Sequence, residues 1–163
     1  MGLGRSVRHP PRMTCTRRRS NSQRQQASDP ARVYLVSFTT WSRAPIFRDY
    51  RTARTIARII HARKNWKGAE CLAWILMPDC FHALIRVDDG DLSKVVARAR
   101  SRMTRALRAE GRKYPVWKRA FESRALQPDE DARAAARNIV ANSVRAGLAE
   151  HVCLYPYWNA VWL

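Results

Sequence analysis

At 163 residues the chain suits one domain of ordinary size and is too short for two large ones. Its formal net charge is +18, from 31 Lys+Arg against 13 Asp+Glu, a field strong enough to attract a polyanion, so nucleic acid is the leading partner. No run approaches the roughly 20 apolar residues of a membrane span, the basic N-terminus lacks a secretory h-region, and the basic helices carry only core-sized apolar stripes; the expectation is a cytoplasmic protein that does not bind membranes.

Residues 1–30, "MGLGRSVRHPPRMTCTRRRSNSQRQQASDP", are rich in Arg, Ser, Gln and Pro and hold few large apolar side chains. Such a segment cannot offset the entropy of ordering, and it reads as a disordered basic arm, either a phosphate-tracking tail or a dispensable extension. Residues 31–163 form the domain. The four cysteines, Cys15, Cys71, Cys80 and Cys153, are far apart without CxxC spacing, which favours reduced thiols over a disulfide framework or a structural zinc site.

"RVYLVSFTTW" has strand composition from Val33 to Trp41. In "RDYRTARTIARIIHARKNW", Ala53, Ile56, Ala57 and Ile60 recur at helical spacing with arginines opposite. "ECLAWILM" is a nearly continuous apolar run, as a strand buried on both faces requires, and Pro78-Asp79 supplies a turn before the strand "CFHALIRV". "DLSKVVARARSRMTRALRAEG" predicts a second helix with the stripe Leu92, Val95, Val96, Ala99, Met103 and Leu107, stopped by Gly111. Its other faces carry Lys94, Arg98, Arg100, Arg102, Arg105 and Arg108 almost without acid. That repulsion favours a phosphate-facing role over a merely solvated one.

A fourth strand is expected near Val116 to Phe121, and one helix across "QPDEDARAAARNIVANSVRAGLAEH". The tail "YPYWNAVWL" is too aromatic to stay free and should pack back on the domain. Strand, helix, strand, strand, helix, strand is the split βαβ arrangement, so the predicted fold is α+β and ferredoxin-like: an antiparallel sheet with helices on one face, plus C-terminal helices. That architecture decides no function by itself.

The hairpin "MPDCFHALI", the basic helix after it, "PVWKRAFESRAL" and "RNIVANSVRAGL" together resemble the REP-associated tyrosine transposases, a branch of the single-tyrosine HUH transposases, from about Val33 to the C-terminus. The resemblance implies a His-hydrophobic-His strand holding a divalent metal, magnesium or manganese, against the scissile phosphate. It also implies a tyrosine on a later helix that attacks the phosphorus, an asparagine four positions on that faces the metal, and single-stranded DNA hairpins of repetitive extragenic palindromes as substrates. The branch tends toward monomers.

Carried over by position, His82 stands for the second histidine, Cys80 for the first, Asn142 for the asparagine and Asn138 for the nucleophilic tyrosine. Ser143 replaces the proline that usually follows the asparagine. A thiol suits magnesium or manganese poorly, so metal binding should be weak or absent. An amide at 138 cannot form a phosphotyrosyl ester. Arg98, Arg102, Arg105, Arg137 and Arg145 are the expected DNA-backbone contacts. The sequence thus points to a DNA-binding relative of these transposases with lost or impaired cleavage. Two other readings stay open: an active transposase using Tyr155 or Tyr157 from the tail, and an RNA-binding split βαβ module.

Overall fold

The computed structural model describes residues 32–88 and 90–162. The basic arm and Cys15 lie outside them. A five-stranded sheet in the order β4-β1-β3-β2-β5 organises the domain. Strands β1 (Arg32–Thr39), β2 (Ala69–Leu76) and β3 (Cys80–Val87) form its middle, β1 and β2 each antiparallel to β3. Every β1–β3 pair keeps one register, from Arg32 opposite Val87 to Thr39 opposite Cys80.

Period-two alternation assigns the two faces. On β3, Phe81, Ala83, Ile85 and Val87 join Val36, Phe38, Trp74 and Leu76 in one core cluster, and Cys80 and Leu84 join Ile75, Leu72 and Met77 in the other. Helices α1 (Tyr50–His61) and α2 (Leu92–Ala109) cover the first face with Ala53, Ile56, Ile60, Val95, Val96, Ala99, Met103 and Leu107, the stripes the sequence predicts. α3 (Ala132–Val140) covers the second through Ala136 and Ile139. The α+β split βαβ core is therefore as expected, and the C-terminal helix occupies the face opposite the other two.

Several boundaries differ from the sequence expectation, and β1 ends at Thr39 rather than Trp41. The helix predicted to reach Trp66 ends at His61, because Asn65 Nδ2 and Trp66 Nε1 fold back to donate to the carbonyls of Ile59 and Ile60 at 2.6 and 2.7 Å, serving acceptors that the helix end leaves open. The fourth strand is not Val116–Phe121. β4 is Glu122–Ala125, beside β1, and Val116 and Trp117 are buried in a segment fastened to the end of β1 by the Thr40–Trp117 bridge. Apolar residues marked the anchor, whereas the ladder itself is built from the exposed residues Glu122, Ser123 and Arg124.

The last helix is interrupted. α3 starts at the Asp131 cap, whose carboxylate accepts from Arg133 N at 2.8 Å, and stops at Val140; a short α4 (Asn142–Arg145) follows, and Gly147 turns the chain away at φ 65°. The tail packs back as expected and supplies a strand the sequence did not show. β5 (Trp158–Ala160) pairs with β2, Trp158 opposite Ile75. No helix of the described residues is long and apolar enough to cross a membrane.

Candidate active site

The β2–β3 turn holds the candidate pair in place. Met77 N donates to Cys80 O at 2.8 Å, Thr40 N and Oγ1 both donate to Asp79 O, and Phe47 N donates to Pro78 O, so β1 and the loop after it grip the turn. Directly after that anchor, Cys80 and His82 point to the same sheet face, and Cys80 Sγ lies 3.4 Å from His82 Nε2. The expected pairing of the two side chains is thus present, and Phe81 between them points into the opposite core.

Burial is the main cause that lowers the His82 pKa from 6.5 to about 4; Asp79 opposes it, and the cations of Arg145 and Arg43 push the same way as burial. The imidazole is neutral near pH 7. A lowered folded-state pKa stabilises the fold above the unfolded value and loses that contribution as pH falls, because the unfolded chain takes up a proton the folded one refuses. Stability should therefore decline between pH 6.5 and about 4 by at most about 1.4 kcal/mol per pH unit from this residue. Thermal melts across that window check it, with His82→Gln expected to flatten the slope.

α3 and α4 lie over the same face. Asn138 is exposed on α3, and Asn142 is partly buried at the start of α4. Arg145 connects them: its Nη2 donates to the Asn138 carbonyl and, at 2.9 Å, to Asn142 Oδ1. Buried Ser143, where the resemblance has proline, donates Oγ to Val140 O at 3.0 Å across the helix break. Asp79 pairs with Arg43 at 3.4 Å. Asn138, Asn142 and Arg145 thus form one bonded group, on a segment that packs through Ile139 and Ala146 on the cluster that holds Cys80.

Tyr155 also reaches this region. It packs against the cluster containing Cys80, and its hydroxyl donates to Leu76 O at 2.7 Å. Burial first, then the neighbouring Cys80 and Tyr157, push its pKa well above the ordinary phenol value. Tyr157 meets the Tyr155 ring edge-on at 5.9 Å and also lies near Tyr50, Asp49 and Arg54.

The basic residues divide by partner. Arg98 donates to Lys67 O at 2.8 Å, and Arg102 to Lys64 O at 3.2 Å and to Asn65 Oδ1, so both tie α2 to the turn after α1. Arg105 lines a groove with Arg100, Ser101, Thr104, Arg108 and Trp117. Arg100 is drawn inward, its guanidinium over the Phe38 ring at 5.5 Å. Arg137 is exposed and has no partner among the described residues. Arg43 escapes sequence reasoning because its contact with Asp79 arises only when distant segments meet, whereas the link from Arg145 to Asn142 and Asn138 is local, with the i, i+3 spacing of Asn142 and Arg145 as its signal.

A split βαβ sheet with a paired sulfur and imidazole on its central strand, under a C-terminal helix and within a strongly basic chain, defines an α+β domain suited to a polyanionic ligand. Residues 32–127 match the family model described as "Transposase IS200 like", and the chain belongs to that family. Cys80 and His82 fall inside the matched residues, and Asn138, Asn142 and Arg145 beyond them. A structure of a REP-associated tyrosine transposase bound to a REP hairpin is similar in fold, with TM-score 0.63 and 19% identity over 85% of this chain and 82% of that one. A candidate transposase from Deinococcus radiodurans R1 aligns with TM-score 0.48 and 18% identity over 74% of this chain and 96% of that one. No curated protein sequence matches the chain significantly.

Proposed function

We propose that this chain binds single-stranded palindromic DNA of the REP-hairpin kind and has lost, or nearly lost, the ability to cut it. The observation that carries the reading is Asn138. It is exposed on α3, its backbone carbonyl tied to Arg145, at the position where the resemblance calls for the nucleophilic tyrosine, and a carboxamide cannot attack phosphorus to form a phosphotyrosyl ester.

The residues carried over as metal ligands do not fit magnesium or manganese. Cys80 offers a soft sulfur already in contact with His82, and Asn142 Oδ1 already accepts from Arg145. Among the described residues no group of three or more His, Cys, Asp or Glu side chains converges. A relocated nucleophile finds no support either. The Tyr155 hydroxyl is engaged with Leu76 O, and its raised pKa opposes the phenolate. For the RNA reading, base-stacking aromatics would have to stand open on the central strands, yet Phe38 and Phe81 are 2% and 0% exposed.

On this reading the chain meets DNA in the cytoplasm as a monomer, with Arg105 and Arg137 as backbone contacts and Arg98 and Arg102 adding charge while they brace α2. Fluorescence anisotropy tests it. A labelled hairpin should bind more tightly than an unstructured strand of the same length, and affinity should drop at least about 100-fold between about 50 and 200 mM salt. Equal affinity for both strands, or a flat salt dependence, would sink the proposal.

A further inference from the structure

We propose that Arg145 takes the place of the divalent cation in this centre, so that a DNA phosphodiester is held there by a guanidinium without any metal. The inference rests on the DNA-binding reading above and adds the ligand and chemistry of the site.

Arg145 is positioned for such a role by its own short stretch of chain. α4 puts it three residues after Asn142 and seven after Asn138, so all three share one side of the α3–α4 segment. One nitrogen, Nη2, makes both protein bonds, to the Asn138 carbonyl and to Asn142 Oδ1. Two acceptors on one nitrogen hold the group in place, and they leave Nη1 and Nε without a partner among the described residues. The side chain is exposed, so those donors face solvent where a ligand can arrive.

The charge balance around it favours an anion. Arg145 neighbours Ala146, which packs on the cluster that holds Cys80, and its two protein partners are neutral amide oxygens. The nearby acid, Asp79, is engaged by Arg43. A cation whose protein partners are two amide oxygens, with no carboxylate bonded to it among the described residues, is an open phosphate site. With Nη2 engaged, Nη1 keeps its own N–H donors free, and these can reach a non-bridging phosphate oxygen in a charge-assisted bond.

The same contacts oppose a metal. A hard divalent ion would need the Asn142 oxygen, which the guanidinium occupies, and would sit beside a fixed positive charge with only a thiol and one imidazole in return. The functional consequence differs from that of a metal site. A guanidinium can orient and neutralise a phosphodiester, but it holds no water or alkoxide to be activated, so DNA is gripped at the position where relatives would cut and is released intact.

The test uses the full chain in two arms. Titrating manganese and following its electron paramagnetic resonance signal should show no saturable site; stoichiometric binding would overturn the inference without reference to DNA. In the second arm, anisotropy with a labelled palindromic strand should give the same affinity in EDTA as in manganese. Arg145→Gln should weaken binding about tenfold and lower the log–log salt slope by about 0.7 to 0.9, the share of one phosphate contact. Arg145→Lys, which keeps the charge and loses the donors that tie the group to Asn138 and Asn142, should fall between, and it serves as the readout if the glutamine variant misfolds. Loss of binding in EDTA, or an unchanged slope in both variants, overturns the role of Arg145 while leaving DNA binding intact. Absence of DNA binding by the unaltered chain, with manganese still unbound, overturns the proposed function and the phosphate role together.

Discussion

The double variant Asn138→Tyr with Cys80→His is expected to form a covalent adduct with a palindromic single strand in manganese, at least about a thousandfold faster than the unaltered chain. Cys80 and His82 already share a face with 3.4 Å between sulfur and ring nitrogen, so an imidazole at position 80 would meet the second one without moving the strand. It would also offer a metal a reason to compete with Arg145 for Asn142 Oδ1. A phenol at 138 would stand on the exposed side of α3, the helix that covers the face of the pair. Its oxygen would then bond to phosphorus as the bond to the 3′ oxygen breaks, leaving a 5′-phosphotyrosyl link and a free 3′-OH.

Each single change should give almost nothing, one lacking the metal and the other the nucleophile, and that non-additivity is the diagnostic feature. Denaturing gels with end-labelled DNA read the adduct directly. An adduct from the unaltered chain would show that cleavage was never lost. Failure of the double variant, with hairpin binding retained, would show that the helix no longer aims position 138 at the phosphate.

Phe81→Ala is expected to cost about 3–5 kcal/mol and to abolish DNA binding by unfolding the site. Phe81 is fully buried on the central strand, opposite Phe38 on β1 and Leu76 on β2, with its ring centroid 4.8 Å from that of Phe38. Phe38 in turn meets Trp117 edge-on at 4.7 Å, so one truncation opens a cavity that reaches the 116–117 anchor. Because Phe81 separates Cys80 from His82, its packing is what aims both side chains at the opposite face. Phe81→Leu should keep fold and binding at a smaller cost, under about 1.5 kcal/mol. Urea titration followed by tryptophan fluorescence measures both, and an alanine variant as stable as the parent would refute this view of the core.

Much of the fold was legible because its signals are local. Alternation and apolar runs mark β1, β2 and β3, helical spacing marks α1 and α2, and Pro78-Asp79 marks the turn between the two strands. The period-two rule even placed Cys80 and His82 side by side. β4 was misplaced because an edge strand made of Glu122, Ser123 and Arg124 has no apolar pattern, while buried Val116 and Trp117 next to it do. β5 is three residues long and is created by backbone bonds to β2, such as Val161 N to Leu72 O, that no local preference announces.

The site divides along the same line. Residue identity alone put a carboxamide at 138 and a thiol at 80, and those chemical facts, with the +18 charge, already argued for binding over cutting. Only the tertiary structure could decide which charges are occupied. Arg98 and Arg102 carry the same side chain as Arg145, yet two of the three brace the turn after α1 and the third stands over the His82 face. A side chain's chemistry is written in its identity, but its availability depends on which acceptors the folded chain brings within hydrogen-bond reach, and for Arg98 and Arg102 those acceptors come from a segment more than thirty residues away.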